Sequence, residues 1–373
     1  MRTLSEIIVK RDYSQKSPSS VFYKDSPFWQ KLICICYVGF IALAGLGDWT
    51  PLQSVLAGQP NIITAGVTGM AIVYGFIYPD LERVKKVFWP ALVYMSLIAM
   101  LFLWSIVIWL MDFSAISTMI RACSKMMFQS ISILAAVSGV FLLGSKTIDL
   151  FAIAVCLANA GIMVLEIPTF GLSASIQSLM RCLLTFGEAE GYARNLEIHD
   201  LTFVFGQLVL YYATFAPHDT KQEKRRRWRM LAACTFFFFV GMKRIAIPAV
   251  VLFIFVALIV RCFKNKKKLI IVWGVAWVVF FFLYIYAVRS GLVSKLLHIT
   301  GIDMMGRDYL WSLANDYYDL SITYVGHGFE YVDTIVTEWY NSGIINHPYP
   351  FHNDILKVFV EMGFPGFVFW TGI

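Results

Sequence analysis

His352 stands in the stretch NHPYPFHNDILKVFVEMGFPG, Asn346 to Gly366, two residues after Pro350 and just ahead of an apolar run that carries Lys357 and Glu361. A neutral imidazole there could take the proton of a hydroxyl nucleophile, the work of a general base. Asn353 and Asp354 are residue types that cap a helix, here one starting near Ile355, so membership of a cap is the competing reading of His352. Lys357 and Glu361 are spaced i,i+4 and can pair, which makes both tolerable inside an apolar segment. A metal site from His347, His352 and Asp354 would need a ligand spacing that this proline-rich stretch does not offer.

Cations form the second group. Lys243 and Arg244 are adjacent within FFFFVGMKRIAIPAV, at the junction of two apolar segments. Such a pair either snorkels to headgroups or clamps phosphate, arginine supplying a fork of donors and lysine a point charge. Arg307 opens RDYLWSLANDYYDL (Arg307–Leu320), whose large apolar residues recur at helical spacing, as in an interfacial helix. Its alternatives are a local pair with Asp308 and a phosphate partner. His327 sits between two glycines, a turn signal beside which a histidine happens to sit, with a substrate contact as the competing reading. Arg194, Glu197 and His199 gather at one end of an apolar segment, where anchoring and capping by Asp200 compete with substrate contact.

These residues need elements to hold them, and the composition says which. The chain has 373 residues, 58% hydrophobic and 15% charged, beyond the apolar share of soluble domains. Its apolar blocks reach the roughly 17–25 residues that cross a bilayer. Ten spans are expected: 32–47, 62–78, 87–111, 126–143, 148–168, 199–216, 230–242, 245–260, 269–288 and 355–373. The fold class is therefore all-α, a polytopic transmembrane bundle in one integral membrane domain, 1–373. The seven cysteines are scattered without a CxxC pair, so neither a disulfide framework nor a zinc site is suggested. The net charge of +7 comes from short basic loops and needs no nucleic acid.

Orientation follows from those loops. KQEKRRRWR (Lys221–Arg229) and RCFKNKKK (Arg261–Lys268) are expected in the cytoplasm, with DLERVKK (Asp80–Lys86) and a basic N-terminus, 1–31, that carries no cleavable signal. The opposite face then receives 171–199, the Lys243-Arg244 junction and a long segment, 289–354, large enough to build a site with short interfacial helices.

The order of a lysine-arginine junction, then GRDYLW, GHGFEYV and FHNDILKVFVEMGFPG resembles the O-antigen polymerase and O-antigen ligase superfamily, most of all its Gram-positive capsular and exopolysaccharide polymerases. The likeness covers about the last 180 residues, from LEIHDLTFVFGQLVLYY onward, and its most specific element is His-Asn-x-x-Leu…Glu-x-Gly-x-x-Gly. It implies a metal-independent glycosyltransferase of the cytoplasmic membrane, working without a cofactor on glycans carried by undecaprenyl pyrophosphate at the outer face. A flippase and a chain-length regulator are the implied protein partners. His352 would handle the acceptor hydroxyl as the catalytic residue, and Arg244 and Arg307 would hold the pyrophosphate. Lys243, Arg194, His199, His327, Asn353 and Asp354 complete the expected substrate contacts. Two departures stand out: methionine and lysine precede Arg244 where the family often has serine, and the chain ends at Ile373 inside a span, as a C-terminally truncated member would. Transfer of glycan to another acceptor by a ligase, and transport of lipid-linked sugars, are the alternative functions. A transporter is disfavoured by the absence of internal repeats and by ionisable residues gathering at one face.

Overall fold

The computed structural model describes residues 27–47, 49, 59–111, 116–185, 190–196, 199–241, 246–263, 265–299 and 306–372. Every regular element among them is helical: α1 Pro27–Leu46, α2 Gln59–Ile77, α3 Leu81–Met111, α4 Ile116–Leu143, α5 Thr147–Phe170, α6 Leu172–Thr185, α7 Tyr192–Asn195 and α8 His199–Thr214. They continue as α9 Lys221–Val240, α10 Ala246–Cys262, α11 Lys266–Arg289, α12 Leu292–Ile299, α13 Arg307–Leu313, α14 Tyr331–Asn341 and α15 Asp354–Gly372. Each apolar block read from the sequence is one of these helices. Leu81–Met111, Thr118–Phe170, Lys267–Arg289 and Asp354–Gly372 are long and apolar enough to cross a bilayer. Little of α11 is buried inside the protein, so its apolar surface needs hydrocarbon around it. The protein is a polytopic helical membrane protein.

Two boundaries differ from expectation for local reasons. The basic stretch Lys221–Arg229 is the first two turns of α9, because Thr220 and Glu223 close a capping box, each accepting the other's backbone N–H at 3.0–3.1 Å. α4 starts ten residues ahead of the expected Met126, since Arg121 and Lys125 interrupt its hydropathy without interrupting the helix.

The chain divides into two compact units, one of residues 1–91 and 131–262, the other of 92–130 and 263–373. In the first, a core of Ala152, Val155, Ile162, Phe205, Tyr212, Cys234 and Phe238 joins α5, α8 and α9. A Cβ on Gly45 would stand 3.0 Å from that of Ala158, so α1 and α5 meet at small residues, as close-packed membrane helices do. At the end of α8, Arg227 and Arg261 donate to the carbonyls of Tyr212, Ala213 and Thr214. Tyr212 and Arg226 hold the Asp149 carboxylate between them, at 2.7 and 3.0 Å. Cations thus cap the exposed carbonyls of a helix C-terminus.

The second unit is built round Ile285, Leu310, Trp311, Val332, Ile335, Trp339, Leu356, Phe359 and Phe367. The stretch expected as one helix from Arg307 is α13 followed by a 3-10 turn, Ala314–Tyr317, with Leu310 and Trp311 buried in this core.

Candidate active site

Helix α15 begins at a side-chain cap. Asn353 is buried and its Oδ1 accepts the Leu356 N–H at 3.1 Å, while Asp354 is exposed in the first turn. His352 precedes this cap with a φ of 50° and an exposed side chain. A non-glycine residue in the left-handed region costs about 1–2 kcal/mol and persists where its neighbours are fixed. They are fixed here: Phe351 is buried and its carbonyl accepts the Trp311 Nε1–H at 3.1 Å. Trp311 lies one helical turn beyond Arg307, which opens α13 half-buried, after the left-handed Gly306. The structure therefore brings His352 and the helix of Arg307 into one neighbourhood.

Further along, α15 is broken, and the break has a use. Pro365 has no N–H for the carbonyl of Glu361, and Gly363 takes φ 61°, ψ −170°, outside the helical region. The freed Glu361 carbonyl accepts the N–H groups of His327 (3.0 Å) and Gly328 (2.6 Å). Phe364 N–H donates to the Tyr324 carbonyl at 2.8 Å, and Trp104 Nε1–H to that of Met362 at 2.9 Å. The fit is backbone against backbone: a Cβ on Gly326, where φ is 86°, would lie 2.4 Å from the Gly363 nitrogen. Gly-His-Gly and Glu-x-Gly-x-Pro-Gly are thus two halves of one dock. The ring of His327 is engaged within it, Nε2 lying 2.8 Å from the Tyr317 carbonyl and the imidazole stacked on Tyr331 at 4.2 Å. Its docking point, Glu361, is seven residues past Asp354, where α15 starts, roughly 10 Å of helix at 1.5 Å per residue.

Beside the dock stand five charged groups. Lys125, on α4, lies 2.8 Å from Glu330 and 2.7 Å from Asp333. Lys357 lies 3.0 Å from Asp333, 3.7 Å from Glu330 and 3.8 Å from Glu361. The Glu361 carboxylate also accepts the Val332 N–H at 3.1 Å, capping the start of α14 from another helix. Burial pushes the Glu330 carboxyl above its ordinary value, although Lys125 and Lys357 pull the other way. At Asp333 burial pushes up too, but Lys357 and Lys125 prevail and hold it well below the carboxylate range. The i,i+4 spacing disclosed Lys357 and Glu361; Lys125, Glu330 and Asp333 carried no local signal.

This cluster yields the first prediction. Glu361→Ala removes the acceptor of the Val332 N–H and one partner of a buried charge, a change worth about 3–5 kcal/mol. Glu361→Gln keeps an acceptor oxygen and should cost clearly less. Thermal unfolding of the purified variants checks this, and equal midpoints for all three proteins would remove Glu361 from the support of the dock.

Two of the remaining candidates belong to the first unit. Arg194 is exposed on α7, whose neighbour Asn195 donates to the buried Glu166 at 3.0 Å. His199 is the first residue of α8. Lys243 and Arg244 fall outside the described residues. Among the described residues no three His, Cys, Asp or Glu side chains are placed to hold a metal ion, the His347, His352 and Asp354 set included.

Residues 230–371, well under half of the chain, match the family model described as O-antigen ligase. No curated protein and no solved structure matches the chain. The match takes in the Lys243-Arg244 junction, α13, both halves of the dock and His352, while Arg194, His199 and Lys125 precede it. The match makes this C-terminal segment similar to the O-antigen ligase family and supports the likeness to the O-antigen polymerase and O-antigen ligase superfamily.

Proposed function

We propose that the protein polymerises glycan repeat units carried on undecaprenyl pyrophosphate into a capsular polysaccharide or exopolysaccharide, at the outer face of the cytoplasmic membrane. The observation that carries this reading is an exposed histidine, His352, held by its backbone at the mouth of α15, within the segment that matches the O-antigen ligase family. A sugar hydroxyl is a poor nucleophile, and a positioned base raises its reactivity. The departing pyrophosphate gains charge in the transition state, which fixed guanidinium groups stabilise. Arg244 and Arg307 take that part, with Lys243, Arg194, His199 and Asp354 as further substrate contacts, while the His327 ring and the Asn353 side chain are engaged within the protein. No metal or cofactor is needed for these steps. A flippase supplies the donor and a chain-length regulator acts on the product. The family's description favours one other reading, a single transfer of finished glycan to a different acceptor.

Purified protein in liposomes, given the lipid-linked repeat unit alone, separates the two. A polymerase yields a ladder of products; a ligase yields nothing until its second acceptor is added. Arg244→Lys should lose most of this turnover while still accumulating in the membrane, because a point charge does not reproduce a bidentate fork. Normal polymer from that variant would leave Arg244 a headgroup anchor. The orientation has its own check. In a functional cysteine-free background, cysteines at Ser294 and Ser342 should react with an impermeant thiol reagent on intact cells, and one at Gln222 only after lysis. Labelling of Gln222 on intact cells inverts the topology.

A further inference from the structure

Helix α6 has three faces rather than two. Ser175 and Cys182 are each 2% exposed and turn toward the protein. Ser178, beside them, accepts the Ala193 N–H at 3.1 Å and donates to the Glu190 carbonyl at 2.7 Å, tying α7 to α6. Ser173, Gln177 and Arg181 form an exposed polar face, with Arg181 3.9 Å from Glu190. Between the two runs an i,i+4 row of large apolar side chains: Leu172 60% exposed, Ile176 53%, Met180 49% and Leu184 74%. At 3.6 residues per turn the row sweeps a sector of roughly 120°.

A protein face, a water face and an uncovered apolar face meet together where a helix lies flat in a membrane surface. The position of α6 agrees. It follows α5, the end of the candidate span Thr118–Phe170, after a turn at Gly171 (φ 80°), so it starts at the depth where a span leaves the hydrocarbon. The last turns of α5 already present Val164 and Leu165 outward, seven residues before the α6 row begins at Leu172. We propose that α6 is seated in the bilayer at the boundary of headgroups and acyl chains, and that it sets the height at which α7 presents Arg194. The occupant of the row is lipid.

Two measurements on the full chain in liposomes test this. The unmodified protein, mixed with a phospholipid whose acyl chain carries a diazirine, should yield lipid adducts on Ile176, Met180 and Leu184 after illumination, and none on Ser173 or Gln177. In the functional cysteine-free background, a nitroxide at Ile176→Cys should relax with oxygen and be shielded from a water-soluble nickel chelate. At Gln177→Cys the preference should reverse, several-fold in the ratio of the two accessibilities. Absence of adducts with nickel access at position 176 overturns the proposal. Exclusion of both reagents at 176, with dipolar broadening between labels on different molecules, overturns it in favour of a second copy.

Discussion

Gly363→Ala should abolish turnover of the lipid-linked repeat unit while the protein still inserts and accumulates. The φ/ψ of Gly363 lies where only glycine is at ease, a conformational cost of about 1–3 kcal/mol. The collision is the larger effect. A Cβ there would stand 2.2 Å from the Val325 carbonyl carbon and 2.3 Å from the Tyr324 carbonyl oxygen, so segment 324–328 has to leave the dock. It then loses the two N–H bonds to Glu361 and the bond from Phe364. Gly343→Ala is the control: its φ is 74°, but nothing lies within 4 Å of the added carbon, so only the left-handed cost of about 1–2 kcal/mol applies. Turnover should survive Gly343→Ala. Limited proteolysis within 307–353 should quicken in Gly363→Ala alone. Near-normal turnover by that variant would show that the dock does not support the active site.

The helices were legible because each apolar block is long, and the block is a property of consecutive residues. So was the Lys357–Glu361 pair, one turn apart on one helix. The dock was half legible: Gly-His-Gly read as a turn, but that this turn fills a break in α15 depends on residues 326–328 meeting 361–364. The charge cluster failed for the same reason, since Lys125 lies more than two hundred residues from its partners Glu330 and Asp333. α6 escaped notice differently. Its serines and glutamine dilute the hydropathy of LSASIQSLMRCLLT, and only the i,i+4 spacing of Leu172, Ile176, Met180 and Leu184 betrays an apolar face.

The separation of roles around α15 bears on where the chemistry is sought. His327 has its ring nitrogen against the Tyr317 carbonyl and its face on Tyr331, and Asn353 is spent on the helix cap. His352 is an exposed histidine whose backbone is pinned on both sides, by the Phe351–Trp311 bond and by the cap. If it is the base, His352→Ala should lower turnover by on the order of 10²–10⁴, with unpolymerised lipid-linked units accumulating in cells. His352→Asn is the sharper variant. Asparagine tolerates a φ near 50° better than most residues, so it preserves the backbone into the cap while removing a titratable nitrogen. It should be as inactive as His352→Ala and as stable as the unaltered protein. His352→Gly relieves the strain further and should likewise fold without turning over. The assay is purified protein with purified repeat unit, membrane levels and unfolding midpoints being measured for each variant. Turnover by His352→Asn within a few-fold of normal would assign the position to the turn, and the proton acceptor would then have to be sought among the carboxylates beside the dock, of which Asp333 is the one part-exposed to solvent.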